Sequence, residues 1–123
     1  RLTGTKVGCN RAECGSCTVI VDGEPVYSCS MLAVEAAGTE ILTIEGLEIN
    51  AKLHPLQEAF IAHDALQCGY CGNGMLMAAA ALLARNPDPS EQEVRAALQS
   101  YLCRCGAHGR IVRAVMRAAD RER

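Results

Sequence analysis

The stretch from residue 8 to residue 19, GCNRAECGSCTV, gathers three of the chain's eight cysteines into one loop. It runs into the β-branched segment TVIV at residues 18–21, which favours a strand. A DG pair, typical of a two-residue hairpin turn, comes next, and the returning segment would carry Cys29 back beside the loop. The segment EILTI at residues 40–44 predicts a third strand. We therefore expect a cysteine loop held against a small sheet.

Four cysteines make up the first cysteine set: Cys9, Cys14, Cys17 and Cys29. A C-x4-C-x2-C run followed by a distant fourth cysteine has the ligand spacing of plant-type [2Fe–2S] centres. Gly8 and Gly15 flank the loop cysteines and allow backbone N–H groups to turn toward sulfur, as an anionic cluster requires. The pattern indicates iron–sulfur ligation.

The second cysteine set consists of two close pairs late in the chain, Cys68 and Cys71 in LQCGYCGNG and Cys103 and Cys105 in LCRCGAHG. By spacing alone, these pairs suit a zinc ion or an iron–sulfur cluster. The cysteines of one pair are too close together to favour a disulfide between them. Metal ligation is therefore preferred over a disulfide framework or free buried thiols.

Two helices are predicted in the middle of the chain, after a linker at residues 45–52. The apolar stripe of the first is Leu53, Leu56, Phe60 and Ile61. The second covers the all-apolar run at residues 75–84 and is predicted to be buried on every side.

Two more helices follow the NPDPS break. Ser90 and Glu93 have the spacing of a capping box at the start of the third helix. Its apolar stripe is Val94, Ala97, Leu98, Tyr101 and Leu102. The apolar stripe of the fourth is Ile111, Val112, Val115 and Met116. The second cysteine set lies between these helices, so a metal centre there would join two helical hairpins.

Composition excludes several classes of protein. A formal net charge of −2 argues against a general nucleic-acid binder. The longest apolar run, at residues 75–84, is about half of the roughly 20 residues that span a bilayer, which predicts a soluble chain without membrane insertion. Only 3% of the residues are aromatic, so the core is thin, and small domains of this kind usually need cross-links or metals.

Three motifs, GCNRAECGSCTVIVDG, QCGYCGNGM and YLCRCG, resemble the small iron–sulfur subunit, or N-terminal iron–sulfur region, of the xanthine oxidase family of molybdenum hydroxylases. In motif detail the chain is most similar to nicotinate dehydrogenase-like small subunits. The resemblance implies an α+β fold. A plant-type ferredoxin-like β-grasp domain would cover residues 1–47, and a four-helix-bundle domain would cover residues 48–123, each with one [2Fe–2S] cluster.

The sequence departs from the family pattern in several places. Members carry an opening β-hairpin ahead of the first motif, which is missing before Arg1, so either residues precede this chain or the hairpin is lacking. Asn10, Arg11 and Ala12 occupy a loop that is commonly richer in glycine. Gly72 and Asn73 stand where many members have Thr-Pro. None of these departures removes a ligand.

The resemblance implies two [2Fe–2S] clusters, whose metal ligands are Cys9, Cys14, Cys17, Cys29, Cys68, Cys71, Cys103 and Cys105. It also implies a large partner subunit whose molybdenum pyranopterin is contacted by this chain, with Gln67 and the sulfur of Cys105 near the amino edge of the pterin. The catalytic residues would lie on that subunit, so none is assigned here. Electrons would leave to a flavin subunit or a c-type haem domain. The location would be cytoplasmic, with any membrane association through partners.

The leading interpretation is therefore an electron-transfer subunit of a molybdenum hydroxylase. The first substrate hypothesis is an N-heteroaromatic acid such as nicotinate, and the second is an aldehyde. Two alternatives stay open: a zinc-stapled interaction module and an independent ferredoxin-like carrier. A visible absorption spectrum separates the first of these, because zinc is colourless and [2Fe–2S] centres are brown.

Overall fold

The strand predicted after the cysteine loop is the centre of a three-stranded sheet. The computed structural model describes residues 1–122, and Arg123, the last residue of the predicted helical domain, lies outside the described residues. Strands β1 (Thr18–Val21), β2 (Glu24–Tyr27) and β3 (Ile41–Leu42) pair in the order β2-β1-β3, with β1 antiparallel to both neighbours. The DG pair forms the β1–β2 turn, as predicted.

The third strand is shorter than its sequence pattern predicts. Only Ile41–Leu42 pairs with β1, whereas residues 40–44 were expected to be extended. The amide of Gly46 donates to the carbonyl of Thr43 at 2.9 Å, which turns the chain into a short 3₁₀ helix, Ile44–Leu47. The predicted linker is therefore partly ordered, and its Leu47 is buried in the core.

Four helices follow within residues 1–122, as predicted: α1 (Pro55–Ala62), α2 (Gly72–Arg85), α3 (Glu91–Leu98) and α4 (His108–Glu122). The expected capping box starts α3, because the Glu93 amide donates to the Ser90 hydroxyl at 3.3 Å and the Ser90 amide donates to the Glu93 carboxylate at 2.8 Å. A second capping box starts α1, between His54 and Gln57. None of the helices in the described part of the chain is both long and apolar enough to span a bilayer.

Helix α2 is the centre of the core. One side packs against β1, and the helix also contacts α1, α3 and α4. Its residues from Gly72 to Leu83 are buried, so the prediction of a helix buried on every side is confirmed except at its last turn. The sheet and the helices share one apolar cluster, in which Ile20 of β1 joins buried residues of all four helices.

Three residues of the predicted apolar stripes are exposed, so their predicted burial is wrong. Leu53 is 37% exposed because it precedes the start of α1, and Ile61 is 69% exposed on the solvent side of α1. Leu102 is 59% exposed because α3 ends at Leu98, so the helical spacing does not extend to it. Leu56 and Phe60, in contrast, are fully buried, as predicted.

We predict that Gly74→Ala destabilises the chain even though alanine is the better helix former. A Cβ at Gly74 would collide with the backbone carbonyl oxygen of Gly15, which cannot move without the cysteine loop. The expected loss is about 1–3 kcal/mol of unfolding free energy, as for other overpacked contacts. Thermal unfolding followed by circular dichroism measures it.

Gly109→Ala in α4 is the matched control. The nearest atom to its added Cβ is in the Arg113 guanidinium at 3.8 Å, an ordinary contact. This variant should keep or slightly raise the stability of the chain, by on the order of 0.5 kcal/mol. Equal stability losses in both variants would contradict the close contact between α2 and the cysteine loop.

Candidate functional site: two cysteine sets in one groove

The loop and the hairpin bring the first cysteine set together. Cys17 lies directly before β1, and Cys29 lies in the 3₁₀ turn Ser28–Ser30 after β2. The amide of Cys29 donates to the Cys17 sulfur at 3.4 Å, and the Ser28 amide donates to the Cys17 carbonyl at 3.4 Å. This is the position of Cys29 that the hairpin predicts.

Backbone amides of the loop point at the Cys9 sulfur. The amides of Glu13 and Cys14 donate to it at 3.3 and 3.4 Å. Such bonds favour a thiolate, which is the metal-binding form of cysteine. They lower the pKa of Cys9 to about 6, with the Cys14 amide as the largest cause, followed by those of Arg11 and Glu13.

Two loop residues adopt a conformation that favours glycine. Asn10 has a φ of 55° and Ala12 a φ of 57°. The turned amide of Ala12 donates to the Cys29 sulfur at 3.3 Å. The sequence pattern alone missed this geometry, although the family's glycine-rich loop was a signal for it. Unfavourable backbone angles kept beside a sulfur ligand indicate a functional loop.

The thiols of the first set also oppose each other's ionisation. The Ala12 amide favours a Cys29 thiolate, but the adjoining Cys17 thiol, burial and the negative charges of Cys17 and Cys9 together raise the pKa of Cys29. One thiol of the set therefore titrates low and another high. A bound cation relieves such crowding because it stabilises all the thiolates at once.

The thiols of the second set also oppose each other's ionisation. Cys71 is the N-cap of α2 and Cys103 lies in the turn between α3 and α4. Burial raises the pKa of Cys71 to about 12, helped by the Cys103 thiol and the charges of Cys103 and Cys68, and outweighs the hydrogen bond from the backbone amide of Cys71, which favours a thiolate. Burial also acts against ionisation of Cys103, but the Ala107 amide, 3.4 Å from its sulfur, and the Cys71 thiol lower its pKa.

Both sets line one groove of about 640 Å³. Cys9 and Cys14 of the first set face Cys68, Cys71 and Cys103 of the second across it. No sequence pattern predicted this juxtaposition, because the two sets are separated along the chain by β3 and α1.

Hydrogen bonds connect the segments that carry the two sets. The amide of Leu102, next to Cys103, donates to the carbonyl of Cys14 at 3.1 Å. The hydroxyl of Tyr70, next to Cys71, donates to the carbonyl of Val7 at 2.6 Å. The loop of the first set is thus held directly by the two segments that carry the second set.

The donor atoms of each set fit an iron–sulfur cluster. All eight cysteines are free thiols. Within residues 1–122, no three His, Cys, Asp or Glu side chains are arranged to hold a single metal ion. These thiols lie in adjoining pairs, and backbone amides donate to their sulfurs. This arrangement suits a [2Fe–2S] cluster, in which four cysteines bind two irons.

The two residues predicted to face a pterin lie near the second set. Gln67 is exposed and directly precedes Cys68, which is also exposed. Cys105 is partly buried in the turn before α4. Both are open to a partner on the side of the second set, and their contact with a pterin stays a prediction.

We predict that Gly15→Ala destabilises the chain more than Gly23→Ala. Both glycines have a positive φ, 77° and 88°, so either substitution costs about 1–2 kcal/mol in backbone strain. Only at Gly15 would the new Cβ also collide with a side chain, the ring of Tyr101, which adds about 1–3 kcal/mol. Denaturant unfolding of the two variants compares these losses, and equal values would contradict the packing of Tyr101 on the cysteine loop.

Comparisons with known proteins agree with this geometry. The model of a [2Fe-2S] binding domain matches residues 43–116. The chain is 46% identical over 120 residues to the nicotinate dehydrogenase small FeS subunit of Eubacterium barkeri, covering 98% of this chain and 76% of the relative. It is 53% identical over 122 residues to one of the nicotinate dehydrogenase subunits of Pseudomonas putida, covering 99% of this chain and 78% of the relative.

Among solved structures, quinoline 2-oxidoreductase from Pseudomonas putida 86 contains a chain that superposes with a TM-score of 0.92 at 49% identity. The match covers 97% of this chain and 75% of that one, so the likeness extends over the sheet and the helices. The chain therefore belongs to the [2Fe–2S] binding domain family, among the iron–sulfur subunits of the xanthine oxidase family of molybdenum hydroxylases.

Proposed function

We propose that this chain is the electron-transfer subunit of a molybdenum hydroxylase and holds two [2Fe–2S] clusters, one on each cysteine set. The observation that carries the proposal is the groove in which crowded thiols of the two sets face each other. A [2Fe–2S] cluster, when bound, accepts and releases one electron. A chain with two such sites in series suits an oxidation that releases two electrons.

The chain supplies a short connection between the two sites. The Cys14 carbonyl accepts a hydrogen bond from the Leu102 amide, and Cys103 is the next residue along the chain. One hydrogen bond and a few covalent bonds therefore link a ligand of the first site to a ligand of the second. The amides at Cys9, Cys29 and Cys103 hold their sulfurs in place and set the electrostatic environment of each site.

A large molybdenum subunit is the proposed partner, docked on the side of the second set. Four exposed apolar residues form the apolar rim: Tyr70 and Leu102 line the groove, Val7 accepts the Tyr70 hydrogen bond, and Leu66 lies two residues before Cys68. Exposed apolar groups beside a redox site favour coverage by a partner that excludes water. Gln67 and Cys105 lie on the same side, and we propose that they contact the pterin of that subunit.

The same proposal includes the domain division, the direction of electron flow, the electron acceptor and the substrate. The division into a ferredoxin-like domain at residues 1–47 and a helical domain at residues 48–123 follows the two cysteine sets. Electrons pass from the second site to the first and leave to a flavin subunit or a haem domain. An N-heteroaromatic acid such as nicotinate is the first substrate hypothesis, supported by relatives named nicotinate dehydrogenase, and an aldehyde is the second.

We predict that Cys14→Ser and Cys71→Ser each remove about half of the bound iron and acid-labile sulfide, because each substitution removes a ligand of one cluster only. Ser30→Ala, beside Cys29 on the exposed surface, is the control and should keep all of it. Metal analysis and visible absorption of the purified complex measure the outcome. Colourless protein containing zinc would support the zinc-stapled module instead, and absence of a large molybdenum subunit would support the independent carrier.

We predict that Leu102→Asp weakens binding of the large subunit roughly tenfold, because burying a leucine side chain contributes on the order of 1.5 kcal/mol and an aspartate contributes none of it. Ile49→Asp is the matched control, since Ile49 is 69% exposed and lies outside the apolar rim. Binding of each variant to the isolated large subunit is measured by titration. Equal affinities for the two variants would place the interface elsewhere.

A further inference from the structure

Asn73 is a buried polar side chain in the first turn of an otherwise apolar helix. It is 6% exposed, and its Nδ2 donates to the carbonyl of Ser16 at 2.9 Å. Ser16 lies between Cys14 and Cys17, and Asn73 follows Cys71 by two residues. This hydrogen bond therefore joins the backbone of the first cysteine set to the helix that begins at the second.

Stability alone does not account for an amide at this position. The Ser16 carbonyl also accepts from the Lys6 amide at 3.3 Å, so it keeps a donor without Asn73. The Oδ1 of Asn73 has no hydrogen-bond partner among the residues that the structure describes. A buried acceptor without a donor costs free energy, and an apolar side chain of similar size would avoid that cost.

The hydrogen bonds from Leu102 to Cys14 and from Tyr70 to Val7 hold the cysteine loop from segments outside α2, so they do not set the position of Ser16 along that helix. Gly74 packs directly on the carbonyl oxygen of Gly15, and the Tyr101 ring packs on Gly15 as well. Van der Waals contact with Gly15 prevents the loop from overlapping its neighbours but offers little resistance to movement of the loop along α2. A hydrogen bond is directional and short-ranged, so the bond from Asn73 resists movement of Ser16 along the helix.

We propose that Asn73 is a positioning residue that sets the separation of the two iron–sulfur sites and, through it, the rate of electron transfer between them. The inference rests on the proposed function. Electron transfer between fixed centres slows steeply with distance, and supporting residues hold a functional site to within about 0.5 Å, so a residue that limits movement between the two sites affects the rate.

The test compares Asn73→Leu with Asn86→Leu in the complex with the large subunit. Leucine keeps the approximate size of asparagine and removes both polar atoms. Asn86 is the C-cap residue of the same helix, and its side chain donates to Glu93 at 3.2 Å, away from both cysteine sets. Iron content, the paramagnetic resonance spectrum of the reduced complex and the rate of electron arrival at the first site are measured.

Asn73→Leu should keep all the iron and both paramagnetic signals, but the magnetic interaction between the two sites should change and electron transfer should slow roughly threefold or more. Asn86→Leu should match the wild type in all three measurements. Asn73→Ala, which only removes atoms, supplies the same readout if the leucine variant does not fold.

Unchanged magnetic interaction and transfer rate in an iron-replete Asn73 variant would overturn the proposal. Loss of iron from either site would also overturn it, because Asn73 would then serve cluster binding and not spacing. Absence of iron from the wild-type complex is a separate result, which would refute the proposed function itself.

Discussion

Crowded thiols oppose each other's ionisation, and both halves of this structure are organised around that constraint. In the first set the pKa of Cys9 is lowered while that of Cys29 is raised. In the second set the pKa of Cys103 is lowered while that of Cys71 is raised. Backbone amides offset part of the repulsion, and a bound cation would offset the rest. The loops, the caps and the buried helix all keep these sulfurs close despite that repulsion.

Helix α2 brings the segments that carry the two cysteine sets together. Its N-terminus carries Cys71, packs on Gly15 of the first loop through Gly74, and bonds to Ser16 through Asn73. Because the same helix is buried along most of its length, it ties the sheet to the other helices in one core. A core with few aromatic residues can therefore still hold the two sites in a defined relation.

Local patterns predicted the local elements well. The strand at Thr18–Val21, its hairpin turn, the capping box at Ser90 and the predicted helices are all present, because each depends on residues near one another in the chain. The errors occur where an element ends. Helical spacing continues through Leu102, but α3 stops at Leu98, and the third strand is cut short by a 3₁₀ turn. Helix and strand ends depend on tertiary contacts that periodicity does not report.

The sequence by itself determined the grouping of eight thiols into two sets, the order of the strands and helices that carry them, and the resemblance to a family. Cysteine spacing is local information, so it was available without coordinates. Only the tertiary structure decided that the sets share one groove, that Ala12 turns its amide to Cys29, and that Leu102 and Asn73 bond to the first loop. These contacts join residues far apart in the chain, and the packing of α2 against the loop selects them.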